Sequence, residues 1–200
     1  MLHPYDQSTY QVRFEWGVDG LSRLAPADIV VLVDVLGLSS AAIAAVESGD
    51  TLRTDAEPAA AGLADAAAST GALVLVGGIR NAGAVAAAVL AEQERRAART
   101  SIAVIAAGEP TGTSLRFAVE DLLGAGAVIT ALADRGIDHS SPEAAAACES
   151  YRGLRRATRH LLTASGSGRA LADHVEAVHA AAAADTSTAV PVLRGGAFTA

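Results

Sequence analysis

The sequence predicts a single α/β domain, a mostly parallel sheet with helices on both faces and a helical C-terminal part. Three observations predict it. The runs DIVVLV (Asp28–Val33), ALVLV (Ala72–Val76) and SIAVIA (Ser101–Ala106) are short and continuously apolar, the composition of strands buried on both faces. Each run leads through a polar or glycine-bearing loop into a helical pattern, and strands alternating with helices imply right-handed crossovers and parallel pairing. The length of 200 residues suits about one domain with a continuous core.

Taken in order, Thr9 to Trp16 alternates as a half-buried strand. After Asp28–Val33, the serines Ser39 and Ser40 stand as caps before an Ala/Ile/Val helix that stops at Gly49. A weak strand at Thr51–Arg53 precedes a second helix, opened by Asp55 and Pro58 and reaching Ser69. Ala72–Val76 turns through Gly77 to Asn81 into a long helix, with Asn81 as its N-cap. Ser101–Ala106 runs into a polar loop over Gly108–Ser114, and Phe117–Leu132 reads as a helix. Ser141–Ala184 is nearly all helical, broken at Ser165–Gly168, and Val190–Leu193 returns to the sheet as a last strand.

Composition excludes several classes. Half the residues are hydrophobic, but the excess is alanine, and no stretch approaches the roughly 20 apolar residues of a membrane span. The first ten residues lack the basic-then-apolar order of a secretory signal, and the single Cys148 permits no internal disulfide, so a cytoplasmic location is expected. A net charge of −7 without a basic stripe argues against nucleic acid. The clusters at Arg95, Arg96 and Arg99 and at Arg152, Arg155, Arg156 and Arg159 read as solvated helix faces. His174 and His179 stand five apart and His3, His139 and His160 are scattered, so no zinc site is expected. Signatures of hydrolase elbows, phosphate-binding NTPase loops and dinucleotide-binding turns are absent.

In such sheets the ligand crevice lies outside the carboxyl ends of the strands. The polar residues there are Asp34, Ser39 and Ser40 after the first run and Arg80 and Asn81 after the second. After the third come Gly108, Glu109, Gly112, Thr113 and Ser114, with Glu120 and Asp121 in the next helix. Hydroxyls, free N–H groups and an arginine fork suit a phosphate, and one or two carboxylates suit Mg2+. Because Glu120 and Asp121 are adjacent, they point about 100° apart on a helix, and one of them is expected to be structural. Ser165–Arg169 reads more readily as a connector than as an anion cradle.

Seven segments resemble the 2-phosphosulfolactate phosphatase family in order and rough spacing: YQVRFEWG (Tyr10–Gly17), VDVLGLSS (Val33–Ser40), GGIRNAGAVA (Gly77–Ala86), IAAGE (Ile105–Glu109), SLRFAVEDLLGAGAV (Ser114–Val128), SGSGR (Ser165–Arg169) and VPVLRGGAF (Val190–Phe198). The resemblance implies a Mg2+-dependent acid phosphatase acting on 2-phospho-3-sulfolactate, a step of coenzyme M synthesis in some archaea. It implies catalytic roles for Asp34, Arg80 and Glu109, and phosphate contacts from Ser39, Ser40, Asn81, Gly108 and Ser114. Metal ligands would come from Asp34 with Glu120 or Asp121.

The chain departs from that pattern at two places. Gly37 stands where the family usually has an arginine after D-V-L. The segment between Asp34 and Gly77 is also shorter than in relatives, lacking an Asn-Ser-Pro loop and a strand with an Asn-Gly turn, which should open one wall of the crevice. Three readings follow. The first is a phosphatase of a small phosphorylated hydroxy acid with a reduced site. The second is a non-catalytic family remnant serving as an anion-binding or assembly protein. The third, a domain without a site, would be favoured by a wide separation of Asp34 and Glu120. Sheet edges left by the shortened segment favour a homodimer.

Overall fold

The structure is a computed structural model that describes residues 4–112 and 114–200; His3 and Thr113, named above, lie outside them. β1 (Val12–Trp16) and α1 (Gly17–Arg23) are followed by β2 (Ile29–Val33), α2 (Leu38–Glu47), the two-residue β3 (Leu52–Arg53), α3 (Pro58–Ala68), β4 (Leu73–Gly77) and α4 (Ala82–Arg96). Next come β5 (Ile102–Ala106), the short strands β6 (Glu109–Thr111) and β7 (Ser114–Arg116), and α5 (Val119–Ala133). The helices α6 (Pro142–Leu154), α7 (Thr158–Ala164), α8 (Gly166–Ala170) and α9 (Val175–Ala181) precede β8 (Val192–Arg194) and β9 (Ala197–Thr199).

A seven-stranded sheet runs in the order β1-β5-β2-β4-β8-β9-β3. Its first four strands pair in parallel, and β8, β9 and β3 are antiparallel additions at the far side. The predicted α/β architecture is therefore present. The three apolar runs are its central strands, and their period-two alternation divides the core. Ile29, Val31 and Val33 pack with Ile102, Val104 and Ala106 beneath α4, α5 and α6. Val30 and Leu32 point the other way, with Val74, Val76, Ala103 and Ile105, toward α1, α2 and α3. Helical periodicity answers them: Ala82, Val85, Ala86 and Val89 on α4, and Ala60, Leu63, Ala64 and Ala67 on α3, each stand at i, i+3, i+4 and i+7.

Several local expectations are corrected. Ser39 and Ser40 lie inside the first turn of α2 and do not cap it; Gly37 holds the cap position and the Asp34 carboxylate accepts the Leu38 N–H at 2.9 Å. Asn81 precedes α4 without capping it, because its side chain accepts from Gly78 N and donates to the carbonyls of Val76 and Ala189. Asp185 supplies an acceptor instead, taking the Gly83 N–H at 2.7 Å. The polar stretch after β5 folds into the antiparallel β6–β7 pair. The strand at the N-terminus begins only at Val12, since Gln7 turns back to bond both the N–H and the carbonyl of Phe14. Near the C-terminus there are two strands, joined by Gly195 and Gly196 with φ of 57° and 81°. Cys148 is a small buried core residue, as its alanine-rich helix predicts.

Candidate active site

At the carboxyl ends of β2 and β5 the chain leaves toward opposite faces, into α2 after β2 and into α5 after β5. A gap opens at such a point in an α/β sheet. Here it is a crevice of about 170 Å³ lined by Asp34, Gly37, Glu57, Gly108, Glu109, Glu120, Asp121 and Ser167, with Leu36, Pro110 and Ala118. Asp34 and Glu120 share it, so the wide separation that would favour a domain without a site is not found. A larger hollow of about 550 Å³ sits against the N-terminal turns and receives nothing from the loops that follow β2, β4 or β5.

Two buried side chains brace the loops around it. Asp121 is 2% exposed, and its Oδ1 accepts the Val35 N–H at 2.8 Å while its Oδ2 accepts the Gly108 N–H at 3.0 Å. One carboxylate thus ties the loop after β2 to the loop after β5. Ser39 does comparable work between β2 and β4, donating from Oγ to Gly77 O at 2.7 Å and accepting from Asp34 N at 2.9 Å. Ser40 donates to Val35 O at 2.7 Å. The hydroxyls of Ser39 and Ser40 are therefore committed to backbone groups, and Ser114 exchanges hydrogen bonds with Thr111.

Glu120 is also 2% exposed, yet its carboxylate has no hydrogen-bond partner among the described residues. Among the described residues the buried side-chain atom left without a partner is Arg80 Nε, so the Glu120 oxygens keep access to the crevice. The neighbours of Glu120 are themselves acidic. Burial pushes the Asp34 carboxyl above its ordinary range, reinforced by the charges of Glu57 and Glu120. The Asp121 carboxyl is raised further by burial and by the charge of Asp34. Five carboxylates, those of Asp34, Glu57, Glu109, Glu120 and Asp121, line the crevice, and none of the lining residues is Lys, Arg or His.

Mg2+ suits this donor set, because it binds through one or two carboxylates and keeps its remaining waters. Among the described residues no three His, Cys, Asp or Glu side chains are gathered tightly enough to hold a metal by themselves. Glu120 and Asp34 are the carboxylates that could face a cation there, although Asp34 Oδ2 also accepts the Leu38 N–H, and both Asp121 oxygens are occupied by backbone N–H groups. Glu57, from the shortened segment, is the site residue that sequence reasoning missed; it precedes α3 and carries no local signal beyond an acid before a helix.

Arg80 lies elsewhere. Its Nη2 bonds both oxygens of Glu47 on α2, at 3.0 and 3.1 Å, and its buried Nε has no hydrogen-bond partner. Asn81 is fully buried and used by backbone groups. Gly37 has a geometric reason: a Cβ built there would lie 2.5 Å from Asp34 Oδ2, so a larger side chain, such as the arginine expected from the family resemblance, fits only if the Asp34 carboxylate moves. Ser165 caps α8 through Gly168 N at 3.0 Å, which makes SGSGR a connector that also presents Ser167 to the crevice.

Comparison with known families gives a match. The sequence model described as 2-phosphosulpholactate phosphatase matches residues 59–196, a span that holds Arg80, Gly108, Glu109, Ser114, Glu120 and Asp121 and begins after the Asp34 loop. No curated protein matches the chain. Among the described residues no helix is long and apolar enough to cross a membrane.

Proposed function

The chain belongs to the 2-phosphosulpholactate phosphatase family, and from that premise we propose that it is a Mg2+-dependent phosphatase of a small phosphorylated hydroxy acid such as 2-phosphosulfolactate. The observation that carries the reading is the Glu120 carboxylate, without a hydrogen-bond partner among the described residues and beside Asp34 in a crevice whose charged lining residues are all acidic. A phosphate dianion entering such a crevice meets repulsion from its carboxylates unless a cation lies between. Asp34 and Glu120 would hold that cation. Bound Mg2+ would neutralise charge developing on the transferring phosphoryl oxygens.

The protein's own groups do the rest. Asp121 fixes the separation of the two loops, so that Asp34 and the Gly108 turn keep their places as substrate enters. Leu36, Pro110 and Ala118 supply apolar wall that limits water around the reacting group. The placement is cytoplasmic, consistent with a single free cysteine.

Phosphate release from 2-phosphosulfolactate and related phosphorylated hydroxy acids, with Mg2+ and with chelator, tests this. Turnover is expected that chelator abolishes and that Asp34→Asn or Glu120→Gln lowers by about 100-fold or more. Folded protein that releases phosphate from none of them would overturn it. One observation favours the non-catalytic alternative, anion binding or assembly: Arg80, the cation at the end of β4, is engaged by Glu47 away from the crevice.

A further inference from the structure

An acidic crevice with a metal explains how a phosphate is held, but not how a substrate with a second anionic group is chosen. That group needs its own donor, and none of the lining residues is cationic. Arg116, on β7, stands at the rim. Its Nε donates to Glu109 Oε2 at 2.6 Å, and its Nη2 pairs with the same oxygen. Both contacts converge on one atom, and Nη1 has no partner among the described residues. Part of the guanidinium fork is therefore unused. The pair is 44% and 50% exposed, and ion pairs so exposed to water hold their members weakly.

The other side of the guanidinium rests on Gly166, at the start of α8. A Cβ built on Gly166 would lie 2.6 Å from Arg116 Nη2 and 3.1 Å from its Cζ and Nη1. Only the missing side chain lets the arginine lie there, beside Ser167. Glu109 and Ser167 both line the crevice, so the guanidinium is bracketed by two of its walls.

We propose that Arg116 is a substrate-binding residue that exchanges Glu109 for the carboxylate or sulfonate of a doubly anionic organic phosphate, and so sets the specificity of the site. This rests on the phosphatase reading above. The planar fork matches the oxygens of either group and can take both at once, which the end-on contact with Glu109 does not use.

Titration calorimetry in Mg2+ with 2-phospholactate, which carries a carboxylate, and isopropyl phosphate, which does not, tests it, with phosphate release measured alongside. Arg116→Met should weaken 2-phospholactate by about 10- to 100-fold and leave isopropyl phosphate unchanged, with Arg116→Lys between. Gly166→Val, which displaces the guanidinium without altering it, should act like Arg116→Met. Glu109→Gln should tighten 2-phospholactate, a gain that a purely structural ion pair would not give. Equal affinities in wild type and Arg116→Met, or equal losses for both ligands, overturn the proposal. Binding with this pattern but without turnover overturns the phosphatase reading alone; no binding of either ligand by folded wild type overturns both.

Discussion

Asp121 shows how one buried residue can organise a site without reacting in it. Its two oxygens satisfy the Val35 and Gly108 N–H groups, so Asp121→Ala leaves two buried donors unpaired. A loss of about 2 kcal/mol is expected by urea denaturation, together with loss of Mg2+-dependent activity. The helical angle between neighbours already implied that Glu120 and Asp121 divide their roles; which one clamps the loops and which one is left without a partner depends on the loops they meet, and those are distant in sequence. Asp34 was legible because an acid closing a fully apolar strand has few uses in a core. Arg80 was legible as a strand-end cation, but its long side chain turns to Glu47, a partner on α2 that no local spacing announces.

Among the elements, α5 packs closely against α6. A Cβ on Gly126 would strike the carbonyl of Ala147 and lie 2.7 Å from the Tyr151 Cβ, so the helix axis sits hard against α6. Gly126→Val should cost about 2 kcal/mol or more in thermal or urea unfolding, since neither helix can retreat without opening the core beside Ile129 and Leu132. The three central strands and the helices after them could be read from periodicity alone. The β6–β7 pair could not, because every described residue in it is exposed and no apolar alternation marks it. The two-glycine turn before β9 is a strong hairpin signal, yet β8 and β9 are only three residues each, too short for a pattern of two to emerge. The outer edge of β1 is occupied by Gln7 and by the chain at His139–Ser141, and β3 is two residues long, so both sheet edges offer little to a second copy.

For the molecule as a whole, the acidic crevice makes stability depend on pH, and the proposed Mg2+ site predicts that metal acts with it. Burial raises the Asp34 and Asp121 carboxyls, so the folded state keeps these protons to higher pH than the unfolded chain does. Their contribution is most favourable below the ordinary aspartate range and is lost as pH rises through the raised values. Asp28 and Glu47 shift the other way, Asp28 through hydrogen bonds from Ser101 and Glu47 through hydrogen bonds from Ser187 and Arg80, and their stabilisation is lost only at lower pH. Metal-free protein should therefore melt higher at about pH 5 than at about pH 8, and millimolar Mg2+ should raise the melting temperature more at the higher pH. Differential scanning fluorimetry reads both, and a Mg2+ effect equal at the two values would contradict the crevice as its seat.

The C-terminal hairpin also sets a timetable. β8 and β9 lie between β4 and β3, and Leu52 finds its partner only in Phe198, a fully buried aromatic. On the ribosome, β2 and β4 can pair soon after they emerge, while β3 and the side of α2 that meets β9 stay open until residues near 198 have cleared the exit tunnel. Such long-range closure is slow. The nascent chain spends most of its synthesis with that flank uncovered, and this is the stretch a chaperone would be expected to hold.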